Sequence, residues 1–267
     1  MDVLAWSVFG GLTVLFATAA IYFFSKYAYY RAVVKYEGVL TPWPIKSVSL
    51  EKFDPVFETN EFGPTLDTQV QFLGRGHLNV PGGASDAETW VLSVLSKKAK
   101  QIFEFGTCTG KTAYLMALNS PANAQVITLT LPPDHVEVYT AAPEDSTEAA
   151  ADAKNESVFN RFVYTNTPAQ SKIQQLYADS KLFDEKRYQK AMDLIFVDGS
   201  HAYSYVLSDS YKALAMVRPG GVVLWHDYRG PRQTRDVYKA LNKLAKEVPL
   251  MHIKGTSLVA YKAPDAK

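Results

Sequence analysis

The stretch IFEFGTCTGK, residues 102–111, constrains this chain more than any other part of it. A short apolar run (Ile102, Phe103, Phe105) carries one acid, Glu104. It breaks at once into Gly106 and Gly110, and the helical pattern Thr112–Leu118 follows. Glycine permits the tight turn and lets a ligand approach the backbone, while the helix beyond it offers free N–H groups at its first turn. A strand, a glycine turn and a helix in that order begin a βαβ unit, and hence a parallel sheet. The spacing is Glu-x-Gly-x-x-x-Gly, which is neither the phosphate loop nor the full dinucleotide fingerprint. By itself it fixes an architecture and leaves the ligand open.

A second stretch narrows the choice. Leu194–Val197 is an apolar strand that ends in Asp198-Gly199, and a helix with apolar positions Tyr203, Val206, Leu207, Leu214 and Val217 follows. Pro219-Gly220-Gly221 stops that helix, and a further strand, Val222–Trp225, ends in His226-Asp227. Polar residues gathered at the C-terminal ends of successive strands are where an open parallel sheet builds its site.

With VDGSH at 197–201 and PGG-x-x-x-x-HDY at 219–228, the chain resembles the class I S-adenosylmethionine (SAM)-dependent methyltransferases over roughly Pro81–Lys262. The resemblance implies an α/β fold, a Rossmann-like and mostly parallel sheet. Leu250–Ile253 and Ser257–Tyr261, separated by Lys254-Gly255-Thr256, supply the C-terminal antiparallel hairpin such a sheet carries. It implies a SAM site at Glu104, Gly106, Thr107, Gly110, Thr130, Asp179, Ser180 and Asp198, with Asp179 accepting from the adenine amino group. Related sequences tend to read Leu-Asp-Leu-Pro-Pro at the end of the second strand, where the acid holds both ribose hydroxyls; here Thr130 stands at the acid's position. Asp134 and Glu137 are the nearby carboxylates that could substitute. His201, His226 and Asp227 are the catalytic candidates, because an imidazole with an unperturbed pKa near 6.5 suits a general base. Some relatives hold a divalent metal after the fourth and fifth strands. Carried over, its ligands are Asp198, His226 and Asp227, a set that serves a hard ion such as Mg²⁺ less well than an acidic pair would.

The rest of the chain sets domain organisation. Val3–Phe24 is uncharged and rich in Leu, Val, Phe and Ala, long enough to span a bilayer. Tyr22, Tyr27, Tyr29 and Tyr30 form an aromatic cluster at its end, with Lys26, Arg31 and Lys35 beside and beyond. That flank predicts a single-pass anchor over 1–25 at the cell membrane, contacting the bilayer through 3–24, with the C-terminal domain cytoplasmic. Residues 26–83 carry scattered prolines and aromatics without a period and are expected to be a juxtamembrane linker or cap; 84–267 is then the methyltransferase-like domain. Ser85-x-x-Glu88 reads as a capping box. Cys108, the single cysteine of 267 residues, fills the glycine turn and excludes an intrachain disulfide. Pro143–Glu156 (PEDSTEAAADAKNE) matches no expected strand and is read as a surface insertion or lid. A formal charge of +1, with no basic run interleaved with aromatics, gives no signature of nucleic-acid binding.

Three functions compete at this point. The first is an anchored O- or N-methyltransferase acting on a membrane-associated or glycan-type acceptor. The second is a catalytically impaired methyltransferase-like domain, kept as an anchored subunit of a membrane protein complex. The third is another nucleotide-using α/β enzyme, disfavoured by the incomplete dinucleotide glycine pattern.

Overall fold

The computed structural model of the chain describes residues 3–35, 44–57, 59–60, 63–64 and 83–266. Two compact units result, Met1–Trp43 and Pro44–Lys267. Among its described residues the first holds one helix, α1 (Val3–Lys35). Within it Gly10–Ala28 is long and apolar enough to cross a membrane, with mean hydropathy 1.3 and no buried side chain in that window. Most of residues 36–83, including Pro42 and Gly82, lies outside the described residues.

The second unit opens with β1 (Ser47–Val48), α2 (Leu50–Phe53) and a two-stranded ribbon of β2 (Thr59–Asn60) and β3 (Gly63–Pro64). The chain continues through α3 (Asp86–Ser96), β4 (Gln101–Phe105), α4 (Lys111–Asn119), β5 (Gln125–Thr130) and α5 (Thr147–Asn155). Then come β6 (Ile173–Tyr177), β7 (Met192–Val197), α6 (Tyr203–Met216), β8 (Val217–Trp225), α7 (Arg235–Leu244), β9 (Met251–Ile253) and β10 (Val259–Lys262). Eight of the strands make one sheet in the order β1-β9-β10-β8-β7-β4-β5-β6. Every neighbouring pair is parallel except those of β10, which runs antiparallel to both β8 and β9. This is the expected Rossmann-like sheet with its closing hairpin.

Burial explains the strand sequences. A parallel sheet covered on both faces needs near-continuous apolar strands, and β4, β7 and the second half of β8 are buried almost throughout. On one face Ile102, Leu194, Phe196 and Leu224 pack with Leu92 of α3 and Met116 of α4. On the other, Phe103 and Phe105 meet the Phe183 ring at 5.4 Å and 6.4 Å. β8 begins at Val217, earlier than the proline–glycine stop suggested, with a register shift against β7 between Met192 and Leu194.

Two stretches differ from the sequence expectation. Residues 44–57, within 26–83, join the second unit: β1 adds a strand beside β9, and Val48, Phe53 and Phe57 enter the core, with the Phe57 ring 5.3 Å from Trp90. The insertion at 143–156 is a helix. Ser146 caps α5 by accepting from the Ala149 amide, and Ala149 and Ala153 are buried against a cluster that contains Leu131, Tyr139 and Tyr205. Alanines at i and i+4 give a narrow apolar stripe, enough to seat a short helix on aromatic rings.

Candidate active site

The order in which strands are added reverses between β4 and β7, and the crevice outside the strand ends there is where such sheets bind ligands. A cleft of about 490 Å³, its open mouth included, occupies that place. Gly106 ends β4, Thr130 ends β5, Ser180 follows β6, and Asp198-Gly199-Ser200 follow β7; all line the cleft. Glu156 and Ser157 close it from the end of α5, and Tyr139, Tyr205 and Asp209 form its wall.

Four other residues named by resemblance stand behind the cleft. Glu104 is fully buried and accepts from the hydroxyls of Thr112 and, at 2.6 Å, Thr128. Burial pushes its carboxyl up to about 8, against the pull of those two hydroxyls. Thr107 lies 2.7 Å from the Thr128 hydroxyl and accepts from Gln175. These residues brace the turn from below. Gly110 adopts a left-handed φ of 79°, and a Cβ there would fall 2.6 Å from the Tyr164 ring and displace it. Asp179 is buried and engaged: its carboxylate accepts from the Lys181 amide at 2.8 Å and the Tyr205 hydroxyl at 2.9 Å. Of the two nearby carboxylates considered as stand-ins for the missing acid, Asp134 is exposed, and Glu137 is exposed and 3.0 Å from His135.

A charged cluster adjoins the cleft at Asp198. His201 Nε2 lies 2.9 Å from Asp227 Oδ2. His226 Nε2 lies 3.3 Å from Glu88 Oε2, and its Nδ1 lies 3.0 Å from Asp198 Oδ1 and 3.2 Å from Asp227 Oδ1. Glu88 therefore does more than cap α3: it completes the capping box with Ser85, accepts from Ser257 and faces His226. Asp227 holds a left-handed φ of 59°, a strained setting for a non-glycine residue and one common at functional sites.

Neither histidine keeps an ordinary pKa. Burial lowers that of His201, but the Asp227 hydrogen bond and charge, with Asp198 and Glu156, more than reverse it and raise it to about 9. Burial also works against protonated His226, and the carboxylates of Asp198 and Asp227 lift it well above the usual range. Cys108, whose thiol is pushed up to about 12 by burial and the Glu156 charge, is no nucleophile.

The donor chemistry tests two absent groups. The cleft offers backbone at Gly106 and Gly199, hydroxyls at Thr130, Ser157, Ser180 and Ser200, and carboxylates at Glu156 and Asp198. That lining fits a polar, positively charged nucleoside with free hydroxyls. For a metal, Asp198, His201 and Asp227 each bring a ligand atom within 4.8 Å of the others. His226 Nδ1 and Asp227 Oδ1 are buried and make no hydrogen bond, and the Arg229 guanidinium lies 2.7 Å from that Asp227 oxygen, so a cation there would compete with Arg229. Two imidazoles and two carboxylates suit a borderline divalent ion better than Mg²⁺.

Sequence reasoning missed Glu156 and Asp209. Glu156 sat in an acidic stretch that looked like surface. Asp209 occupies a buried position on α6; burial raises it to about 7 and its Oδ1 has no partner. Its signal was a single acid on the helix face that Tyr205 and Ser210 bury.

Fold and cleft define an open α/β sheet protein with a cleft at the carboxyl edge of the strands. Residues 103–228 match the family model described as a methyltransferase domain. Among solved structures, cofactor-bound Rv0187 from MTB is similar at 15% identity and TM-score 0.47, over 70% of this chain and 84% of that one. The O-methyltransferase TomG from Streptomyces achromogenes, solved with SAM, is similar at 16% identity and TM-score 0.44, over 68% and 82%. An O-methyltransferase from Bacillus cereus, solved with SAH, gives 14% identity and TM-score 0.44, over 68% and 84%. No curated protein matches the chain by sequence.

Proposed function

We propose that this chain is a membrane-anchored, SAM-dependent methyltransferase that acts on a hydroxyl of a membrane-associated or glycan-type acceptor. One observation carries the reading: within a stretch that matches a methyltransferase domain, a cleft with nucleoside-compatible lining meets a buried imidazole–carboxylate cluster at Asp198. SAM, when bound, supplies a methyl group on a sulfonium, whose bond to sulfur breaks as the acceptor oxygen attacks the carbon.

The chain's own residues position the partners and handle the proton. Gly106 and Gly199 let the donor approach the strand ends, and alignment of donor and acceptor supplies much of the rate. The Asp198 carboxylate favours positive charge in the cleft. A hydroxyl acceptor must lose its proton, and His201, stabilised by Asp227, is the group to take it. The same stabilisation keeps the resting ring protonated near neutrality, so it must first give that proton to water, through the 27% of the His201 side chain that is exposed, before it can take the acceptor's. A borderline divalent ion held by Asp198, His201 and Asp227 would replace His201 as the proton acceptor and instead lower the acceptor's pKa as a Lewis acid.

The aromatic and basic flank of α1 supports anchoring with the domain in the cytoplasm, where SAM is made. A second reading, an impaired methyltransferase-like subunit of a membrane complex, is favoured by Thr130 in place of the usual acid. Calorimetric titration of SAM into the full chain in detergent separates the two. Saturable binding supports the enzyme, and absence of binding supports the subunit.

A further inference from the structure

We infer that Glu156, delivered by α5, supplies the carboxylate that holds the ribose hydroxyls of the methyl donor, in the place that Thr130 leaves without one. The inference rests on the methyl-donor reading of the cleft and says which residue completes it.

Thr130 ends β5 and lines the cleft, but its hydroxyl makes only a long bond, 3.4 Å, to the Ser157 hydroxyl. Ser157 and Glu156 are adjacent in the chain and line the same cleft. The insertion therefore brings an acid to the edge of the pocket where the strand lacks one. Its placement is fixed from several sides. Ser157 donates to the Ala153 carbonyl at 2.7 Å, the Glu156 amide caps α5 on Asp152, and the Ser146 amide at the other end donates to Asp236 at 2.8 Å.

Glu156 also lacks an occupation of its own. Among the described residues its carboxylate has no hydrogen-bonding partner, only the charges of His201, Asp198, Asp152 and Asp227, and burial raises its pKa. His201 is its competing partner, but that ring already meets Asp227 at 2.9 Å. A half-buried carboxylate with no donor in the protein is free to accept from a ligand in the cleft. Two vicinal hydroxyls would satisfy it, because a carboxylate accepts two charge-assisted bonds where a threonine hydroxyl makes one.

The test is calorimetric titration of S-adenosylhomocysteine (SAH) into the full chain in detergent, for the wild type, Glu156→Gln and the double variant Thr130→Asp/Glu156→Gln. Glu156→Gln is expected to weaken SAH by about tenfold or more, and Thr130→Asp to restore most of the loss. Adenosine against 2′,3′-dideoxyadenosine gives an independent readout: the wild type should prefer adenosine by about tenfold, and Glu156→Gln should lose that preference. A wild type that binds SAH while Glu156→Gln binds equally well overturns the inference and leaves the donor site standing. So does a loss that Thr130→Asp does not repair. A wild type blind to SAH overturns the methyl-donor reading itself.

Discussion

Glu88 Oε2 lies 3.3 Å from His226 Nε2, although 138 positions separate the two residues in the chain. The contact joins the first turn of α3 to the end of β8. Glu88 Oε1 accepts from both the amide and the hydroxyl of Ser257, at 2.7 Å and 2.6 Å. Burial would raise the Glu88 carboxyl, but His226, Ser257 and the Ser85 amide outweigh it and hold the group well below the usual carboxylate range. The arrangement is a carboxylate orienting an imidazole, so the other ring nitrogen is turned on Asp198 and Asp227.

Removing that carboxylate should be expensive. Glu88→Ala leaves a buried imidazole uncompensated and strands the Ser257 and Ser85 donors, a loss of about 3–5 kcal/mol. Glu88→Gln keeps the shape and should cost less. Urea unfolding of both variants in the full chain checks the order; equal midpoints for Glu88→Ala and the wild type would contradict it.

Glu104 predicts a pH dependence. Its folded carboxyl sits near 8 against 4.5 for the free group, so between those values the unfolded chain releases a proton that the folded chain keeps. Stability should fall as pH rises from about 4.5 to about 8, by at most about 1.4 kcal/mol per unit from this group, and level off above. Glu104→Gln should remove that slope. Unfolding midpoints measured from pH 5 to 8.5 on both proteins decide it, and parallel curves would show that Glu104 titrates normally.

The two glycines of the turn are needed for different reasons. A Cβ on Gly106, where φ is 99°, would lie 2.0 Å from the Asp198 carbonyl oxygen, and backbone cannot retreat cheaply. A Cβ on Gly110 would meet the Tyr164 ring, which can shift. Gly106→Ala should therefore lower the melting temperature well beyond Gly110→Ala. Equal losses would argue that the β4–β7 junction is looser than it looks. Lost ligand binding in either variant would report on folding first.

The anchor has its own check. After a high-salt wash the full chain should remain in the membrane pellet, with the Pro44–Lys267 unit accessible only from the cytoplasmic side. Release by salt alone would mean that α1 does not span.

The sheet was legible in the sequence because its signals are local. The glycine turn after β4, the VDGSH and HDY segments, the closing hairpin and the Ser85 capping box each lie within a few residues. What stayed hidden depends on distant contacts. β1 is two residues long and gains its meaning only beside His252 and Ile253. The insertion at 143–156 looked like surface because its stripe of alanines is too small to register as apolar periodicity. The histidines carried no sign of their raised pKa values, since the responsible carboxylates come from the end of α5 and from the ends of β7 and β8. Glu104 and Asp179 were expected as ligand contacts, and their hydrogen bonds to Thr112, Thr128, Tyr205 and the Lys181 amide could not be read from the sequence.

The placement of the methyl-donor cleft is tested most directly at Gly199. Its φ is not left-handed, and a Cβ there makes only ordinary contacts, 3.5 Å from Asp209 Oδ2 and 3.6 Å from the Phe105 carbonyl carbon. Gly199→Val should therefore fold while filling the cleft. Calorimetric titration of SAH into the full chain should show one saturable site in the wild type and none in Gly199→Val, with melting temperatures within a few degrees. A folded Gly199→Val protein that binds SAH as tightly as the wild type would contradict the account.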